Sequence, residues 1–144
     1  MNERGCVLLA DDSATDAELT TRALGLGGVG GNVVWVQDGA AALDYLLCQG
    51  SYAQRQPGNP RLMLLDLHMP KIDGLDVLAR IKSDPQLRSI PVVIMSSSDE
   101  ESDMVRSYAK QANSYIVKPV DFKRFTDQVA LLGQYWMKVN RALS

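Results

Sequence analysis

Five short apolar runs, Val7 to Ala10, Val33 to Val36, Leu62 to Leu65, Val92 to Met95 and Tyr115 to Val117, set the terms on which this chain can fold. Each is too short for an ordinary helix, and each is followed by a longer segment with helical patterning. Their apolar residues are continuous rather than alternating, which is the pattern of strands covered on both faces, as in parallel sheets. Parallel neighbours need a crossover, and the crossover is normally a right-handed helix. Five such units in 144 residues predict one α/β domain with a doubly wound sheet.

The element boundaries are well marked. Ser13-Ala14-Thr15-Asp16 and Ser98-Asp99-Glu100-Glu101 match the capping box, in which a hydroxyl and an acid satisfy the first free N–H groups of a helix. Asp38, Asp73 and Asp121 stand where three further helices would start. Gly50 is expected to close the second helix, and Asp84-Pro85 the third, because the residue before proline is pushed out of helical geometry. Ser51 to Pro60 reads as a loose polar loop. A G-x-G-x-x-G string runs from Gly25 to Gly30, but a dinucleotide site needs a strand before it and a helix after it. Here the order is reversed, and the glycines read as a helix C-cap and turn.

Composition excludes several classes. A formal net charge of −2 leaves no basic footprint for nucleic acid. No apolar stretch approaches the ~20 residues of a membrane span, and no signal-peptide core follows Met1-Asn2-Glu3-Arg4. A cytoplasmic location is expected, with one domain over residues 1–144 and no output domain. Cys6 and Cys48 lack the spacing of a zinc or redox motif and read as buried free thiols.

In an open α/β sheet, ligands bind at the carboxyl ends of the strands, beside the point where strand order reverses. The first strand would end in Asp11 and Asp12, the third in Asp66, the fourth in Ser96 and the fifth in Lys118-Pro119. Three carboxylates, one hydroxyl and one ammonium thus meet at one edge. Like charges within roughly 4–6 Å disfavour each other's ionised form, so the adjacent acids need a cation. The three Asp and Lys118 sum to −2, which one divalent ion neutralises. Oxygen-only donors favour a hard ion, and Mg2+ fits because it keeps positions open for phosphate oxygens. The expected guest is a phosphoryl group.

These residues, in this order, resemble the receiver domains of two-component response regulators. The likeness is carried by Asp11-Asp12, by Leu65-Asp66-Leu67-His68-Met69-Pro70 with Asp73-Gly74, by Ser96 after a proline-led strand, and by Lys118-Pro119. It implies a flavodoxin-like (βα)5 sheet of strand order 2-1-3-4-5 with an extended last helix. It also implies a phosphorylation-driven switch rather than a conventional enzyme. By this resemblance Asp66 is the phosphoacceptor, attacking a phosphohistidine of a sensor histidine kinase. Asp12 and Asp66, with the His68 backbone carbonyl, hold magnesium, and Asp11 acts through water. Lys118 and Ser96 bind the phosphoryl oxygens, Tyr115 follows Ser96 in the conformational change, and the Lys118-Pro119 bond is cis. Ser96 stands where threonine is commoner, which keeps the hydroxyl and drops a methyl that locks the rotamer. The polar loop before the third strand and Gln134-Tyr135-Trp136 look most like single-domain regulators associated with bacterial phytochromes, which points to a phytochrome-type kinase as partner.

Two other chemistries fit less well. An aspartyl-phosphate phosphatase wants a second acid two residues after the nucleophile, where this chain has His68. A flavin mononucleotide carrier wants a phosphate cradle in its first loop, where Asp11, Asp12 and Asp16 would repel one. After Asp121, the apolar residues Phe122, Phe125, Val129, Leu132, Trp136, Val139 and Leu143 step by three and four. That predicts an unbroken last helix ~35 Å long, against ~17–20 Å for a strand. The first four positions would pack on the sheet. Trp136, Val139 and Leu143 would overhang and favour a homodimer through helix four, strand five and helix five, a surface on which receivers of this family often pair.

Overall fold

A computed structural model describes residues 5–97, 101–118 and 121–141. Each apolar run is a strand: β1 (Val7–Ala10), β2 (Val33–Val36), β3 (Leu62–Asp66), β4 (Val92–Ser96) and β5 (Ser114–Val117). They form one parallel sheet in the order β2-β1-β3-β4-β5. The inner strands β1, β3 and β4 are buried along nearly their whole length, whereas the edge strands β2 and β5 are partly exposed. Full burial on both faces is what the uninterrupted hydrophobic runs require.

The connecting helices are α1 (Ala14–Leu26), α2 (Gly39–Leu47), α3 (Gly74–Ser83), α4 (Glu101–Ala109) and α5 (Phe122–Gln134). Side chains alternate across the sheet and split the core in two. Leu8, Met63, Leu65 and Ile94 meet α2 and α3 on one face. Val7, Leu9, Leu64 and Met95 meet α1 and α5 on the other. Asp38, Asp73 and Asp121 each accept a backbone N–H at the start of a helix, and α3 stops at Asp84, whose backbone is extended before Pro85. The glycines after α1 form the expected turn, with Gly28 at φ +85° and the Val29 N–H returning to the Leu24 carbonyl.

Four expectations need correction. The second helix ends before Gly50: Cys48 takes the left-handed conformation, and the Gln49 N–H bonds the Asp44 carbonyl, which closes α2 by local hydrogen bonding. Both cysteines are only half-buried, and Cys6 lies 3.4 Å from the Tyr45 hydroxyl. The polar loop is pinned rather than loose, because Arg55 stacks 4.1 Å over the Tyr45 ring and donates to the carbonyls of Tyr45, Gln56 and Gly58. The last helix is also broken: after Gln134 it widens into a π turn (Tyr135–Val139), closed by the Asn140 N–H on the Tyr135 carbonyl, and Asn140 is extended. Its buried line runs Phe125, Val129, Gly133 and Met137. Leu132 rests against the core and Val139 is exposed, as expected, but Phe122 is exposed rather than packed on the sheet, and Trp136 rests against the core rather than overhanging it. Steps of four are the ridge that packs helix on helix, here against α1. Leu143, the Ser98 capping box and the Lys118-Pro119 bond lie outside the described residues.

Candidate functional site

Strand register sets the height of each functional group. Ala10 pairs with Leu65, Asp66 with Met95, and Ser96 with Val117, so the acids, the hydroxyl and Lys118 all emerge at the carboxyl edge. Asp11 still bonds the β2 ladder through its N–H to the Val36 carbonyl, 3.1 Å. Its carbonyl accepts the Trp35 indole N–H at 2.7 Å, and its carboxylate accepts the Ser13 N–H at 2.9 Å. Asp11 is therefore buried and fixed, whereas Asp12 faces solvent.

Asp66 ends β3 and is half-buried. Its carboxylate accepts the His68 N–H at 3.3 Å. The loop after it folds tightly onto the start of α3, where the Gly74 N–H bonds the Leu67 carbonyl. A Cβ on Gly74 would stand 2.4 Å from the Asp66 carbonyl oxygen, so only glycine lets the helix approach this closely. The His68 ring is exposed and stands 3.9 Å from the carboxylate of Asp103 on α4, which also pairs with Arg106.

Carboxylate oxygens of Asp11, Asp12 and Asp66 lie within 4.8 Å of one another. Burial pushes the Asp66 carboxyl up to about 6; Asp11 and Asp12 add to the rise, and the Lys118 ammonium and the His68 N–H work against it. Lys118 reaches in from the end of β5, with its Nζ 3.1 Å from Asp11, 3.1 Å from Asp16 and 3.7 Å from Asp66. Burial opposes that charge, but Asp11, Asp66 and the hydrogen bonds to Asp16 and Asp11 outweigh it and hold the ammonium's pKa above its ordinary value. Ser96 is buried at the end of β4, and its carbonyl accepts the Lys118 N–H at 2.7 Å. Tyr115 is half-buried on the face of α2 and α3, level with Ile94.

The structure thus brings together Asp11, Asp12, Asp66, Ser96 and Lys118. An all-oxygen donor set, with one acid held above its ordinary pKa chiefly by burial, suits a hard divalent cation. Three participants escaped the sequence reading. Asp16 read as half of a capping box and as one of three acids of the first loop, not as a partner of Lys118; Trp35 read as a strand residue, and Asp103 drew no reading. The spacing Asp12-x-x-x-Asp16, one turn into a helix that starts at the site, was the available signal for the first.

Residues 7–130 match the family model of the response regulator receiver domain. The chain belongs to the response regulator receiver family. The response regulator Rcp1 of Synechocystis sp. (strain ATCC 27184 / PCC 6803 / Kazusa) is 36% identical over 132 residues, covering 92% of this chain and 88% of that protein. The solved structure of the phosphorylated cyanobacterial phytochrome response regulator RcpA matches with a TM-score of 0.89 at 38% identity, over 97% of this chain and 99% of its own. The Mn2+-bound form of Rcp1 matches with a TM-score of 0.88 at 34% identity and the same coverage. This receiver is a two-component signalling protein of a family that accepts a phosphoryl group and binds a divalent metal, and Asp11, Asp12 and Asp66 form a group that could hold such an ion. Among its described residues, no helix is long and apolar enough to cross a membrane.

Proposed function

We propose that Asp66 is the phosphoacceptor of this receiver. A carboxylate oxygen attacks the phosphorus of a phosphohistidine on the partner kinase; the O–P bond forms as the P–N bond breaks, and the imidazole nitrogen keeps the electron pair and takes up a proton. Asp11, Asp12 and Asp66, with the His68 carbonyl, would hold magnesium, which neutralises charge on the acceptor and the incoming oxygens. Lys118 meets the phosphoryl oxygens, and Ser96 donates its hydroxyl to them as it turns inward with Tyr115 following. Positioning and charge neutralisation supply most of the acceleration in such transfers. Slow attack by water then resets the switch. The observation that carries this reading is the convergence of three carboxylates within 4.8 Å, with Lys118 Nζ 3.7 Å from Asp66. Acetyl phosphate with Mg2+ should add one phosphoryl group to the wild type by intact mass, and none to Asp66→Asn. Retained stoichiometric labelling of the variant places the acceptor elsewhere.

The kinase is proposed to be of the phytochrome type, on the strength of the likeness to RcpA. A homodimer through α4, β5 and α5 is part of the same reading. Edge strand β5 and α5 border an open groove of about 800 Å³, lined by Ile116, Leu131, Tyr135 and Trp136 among others. Leu131, Tyr135 and Val139 remain exposed beside it, and a second copy would cover them. Because Trp136 is partly committed to the core, Leu131→Glu with Val139→Glu is the cleaner probe. Sedimentation should give dimers for the phosphorylated wild type and monomers for the double variant; a wild type monomeric at high concentration ends the dimer reading.

A further inference from the structure

We propose that Asp16 is a positioning residue of the site, holding the Lys118 ammonium off Asp66 so that the acceptor carboxylate stays open to the divalent cation. In an ordinary capping box the acid at this position would reach back to the backbone N–H of the cap residue. Here that arm is missing. The Ser13 N–H is taken by Asp11 at 2.9 Å, and the Asp16 carboxylate instead binds Lys118 Nζ at 3.1 Å. The other half of the cap is intact, with the Asp16 N–H donating to Ser13 Oγ at 3.2 Å. One short segment thus fixes both anions that grip the ammonium, Asp11 from the end of β1 and Asp16 from the first turn of α1. Both grips are hydrogen bonds of 3.1 Å, whereas Asp66, at 3.7 Å, is beyond that range.

Two cations compete for Asp66. An ammonium seated on its oxygen occupies the lone pairs that a metal needs. With Asp16 removed, Lys118 keeps Asp11 and has Asp66 as its only other carboxylate neighbour among the described residues. The ammonium then moves onto the acceptor. Asp16 therefore raises metal affinity without touching the metal. Its carboxylate is 43% exposed at the start of a helix, so the substitution does not disturb the core.

The inference rests on the reading of the acid cluster as a metal seat, and one titration series separates the two. Mg2+ and Mn2+ affinities are measured by calorimetry and by tryptophan fluorescence, since the Trp35 indole is bonded to Asp11. Asp16→Asn should weaken binding by about threefold or more, the size of coupling expected between groups in one ion-pair network. Asp16→Glu should keep the affinity, and Asp16→Asn should have no effect in a Lys118→Gln background. Unchanged affinity in Asp16→Asn, failure of Asp16→Glu to rescue, or an equal loss without Lys118 overturns the role of Asp16. A wild type that binds neither ion at millimolar concentration overturns the metal seat as well.

Discussion

Helices α5 and α4 stand on either side of the edge strand β5 and are held in opposite ways. α5 and its π turn bury Phe125, Val129, Gly133 and Met137 against α1 and the sheet. α4 buries Asp103 and Ser107 and turns Val105 and Tyr108 outward. Among the described residues, no α4 side chain belongs to either apolar core. Hydrophobic burial stabilises by about 25 cal/mol per Å², and a full aromatic side chain by a few kcal/mol. A hydrogen bond nets only about 0.5–1.5 kcal/mol. The α1–α5 layer is therefore the scaffold that fixes Asp11 and Lys118, while α4 is the element that costs least to move. Its buried acid, Asp103, lies beside His68, two residues from Asp66, the proposed acceptor. A phosphoryl group on Asp66, as proposed, would add its charge where the fold resists least.

The comparison breaks most readily at Phe125. Phe125→Ala should cost about 3–5 kcal/mol in urea denaturation, as for other buried aromatic truncations. A loss below about 1 kcal/mol would mean that α5 is held no better than α4. Gly27→Ala probes the same layer more gently. Gly27 has an ordinary φ of −85°, but a Cβ there would stand 2.6 Å from the Ala130 carbonyl oxygen, so α1 and α5 must part. About 1–3 kcal/mol of destabilisation is expected by the same measurement, the usual cost of overpacking. A neutral result would show that the layer yields freely.

The same contrast decides what could be read from the sequence. The strands were legible almost to the residue, because the inner strands are buried on both faces and their patterns are unbroken. Asp11, Asp12, Asp66, Ser96 and Lys118 were legible because strand ends define one edge of such a sheet. The packing of α5 was not. A hydrophobic stripe favours Phe122 and Val139, both exposed, and passes over Gly133, which has no side chain to score yet lies against Leu24 and Val29. The π turn left no mark in the pattern, since it moves one register step without changing composition. Asp16 and Trp35 were missed because their roles are set by partners more than twenty residues away in sequence, at Lys118 and Asp11.

Between scaffold and switch sits Asp66, and its charge makes the apo site a local weakness. Its folded pKa, about 6, lies above the ordinary 3.8, so the folded state binds this proton more tightly than the unfolded chain does. The fold keeps the full benefit below about pH 4 and loses it as pH rises through about 6. Metal-free Asp66→Asn should therefore match the wild type near pH 4 and exceed it by about 1–2 kcal/mol near pH 7.5, after allowing for solvent screening. Paired denaturation curves across that range check it. Saturating Mg2+ should erase the gap by stabilising only the wild type. A variant less stable than the wild type at every pH would mean that Lys118 already compensates the acid cluster.

The smallest effect is expected on α4, and it tests the contrast from the other side. Tyr108 and Val105 contribute nothing to the core, so Tyr108→Ala should change global stability by no more than about 0.5 kcal/mol. The helix has nine residues, below the ~12–15 at which an isolated helix becomes even marginal in water. It must draw its order from docking, to which Asp103 contributes by facing His68, whereas the Asp103–Arg106 pair and the Ser107 hydroxyl on the Asp103 carbonyl lie within the helix. Segments of this kind open below the global unfolding free energy. Amide hydrogen exchange should show α4 protons leaving through such a local opening while those of α5 and β1 wait for global unfolding. Asp103→Ala should speed exchange in α4 alone. Equal protection of α4 and α5 in the wild type would remove the distinction between scaffold and switch. Protection of α4 that survives Asp103→Ala would instead place its anchor in apolar contacts made from its outward face, which a dimer would supply.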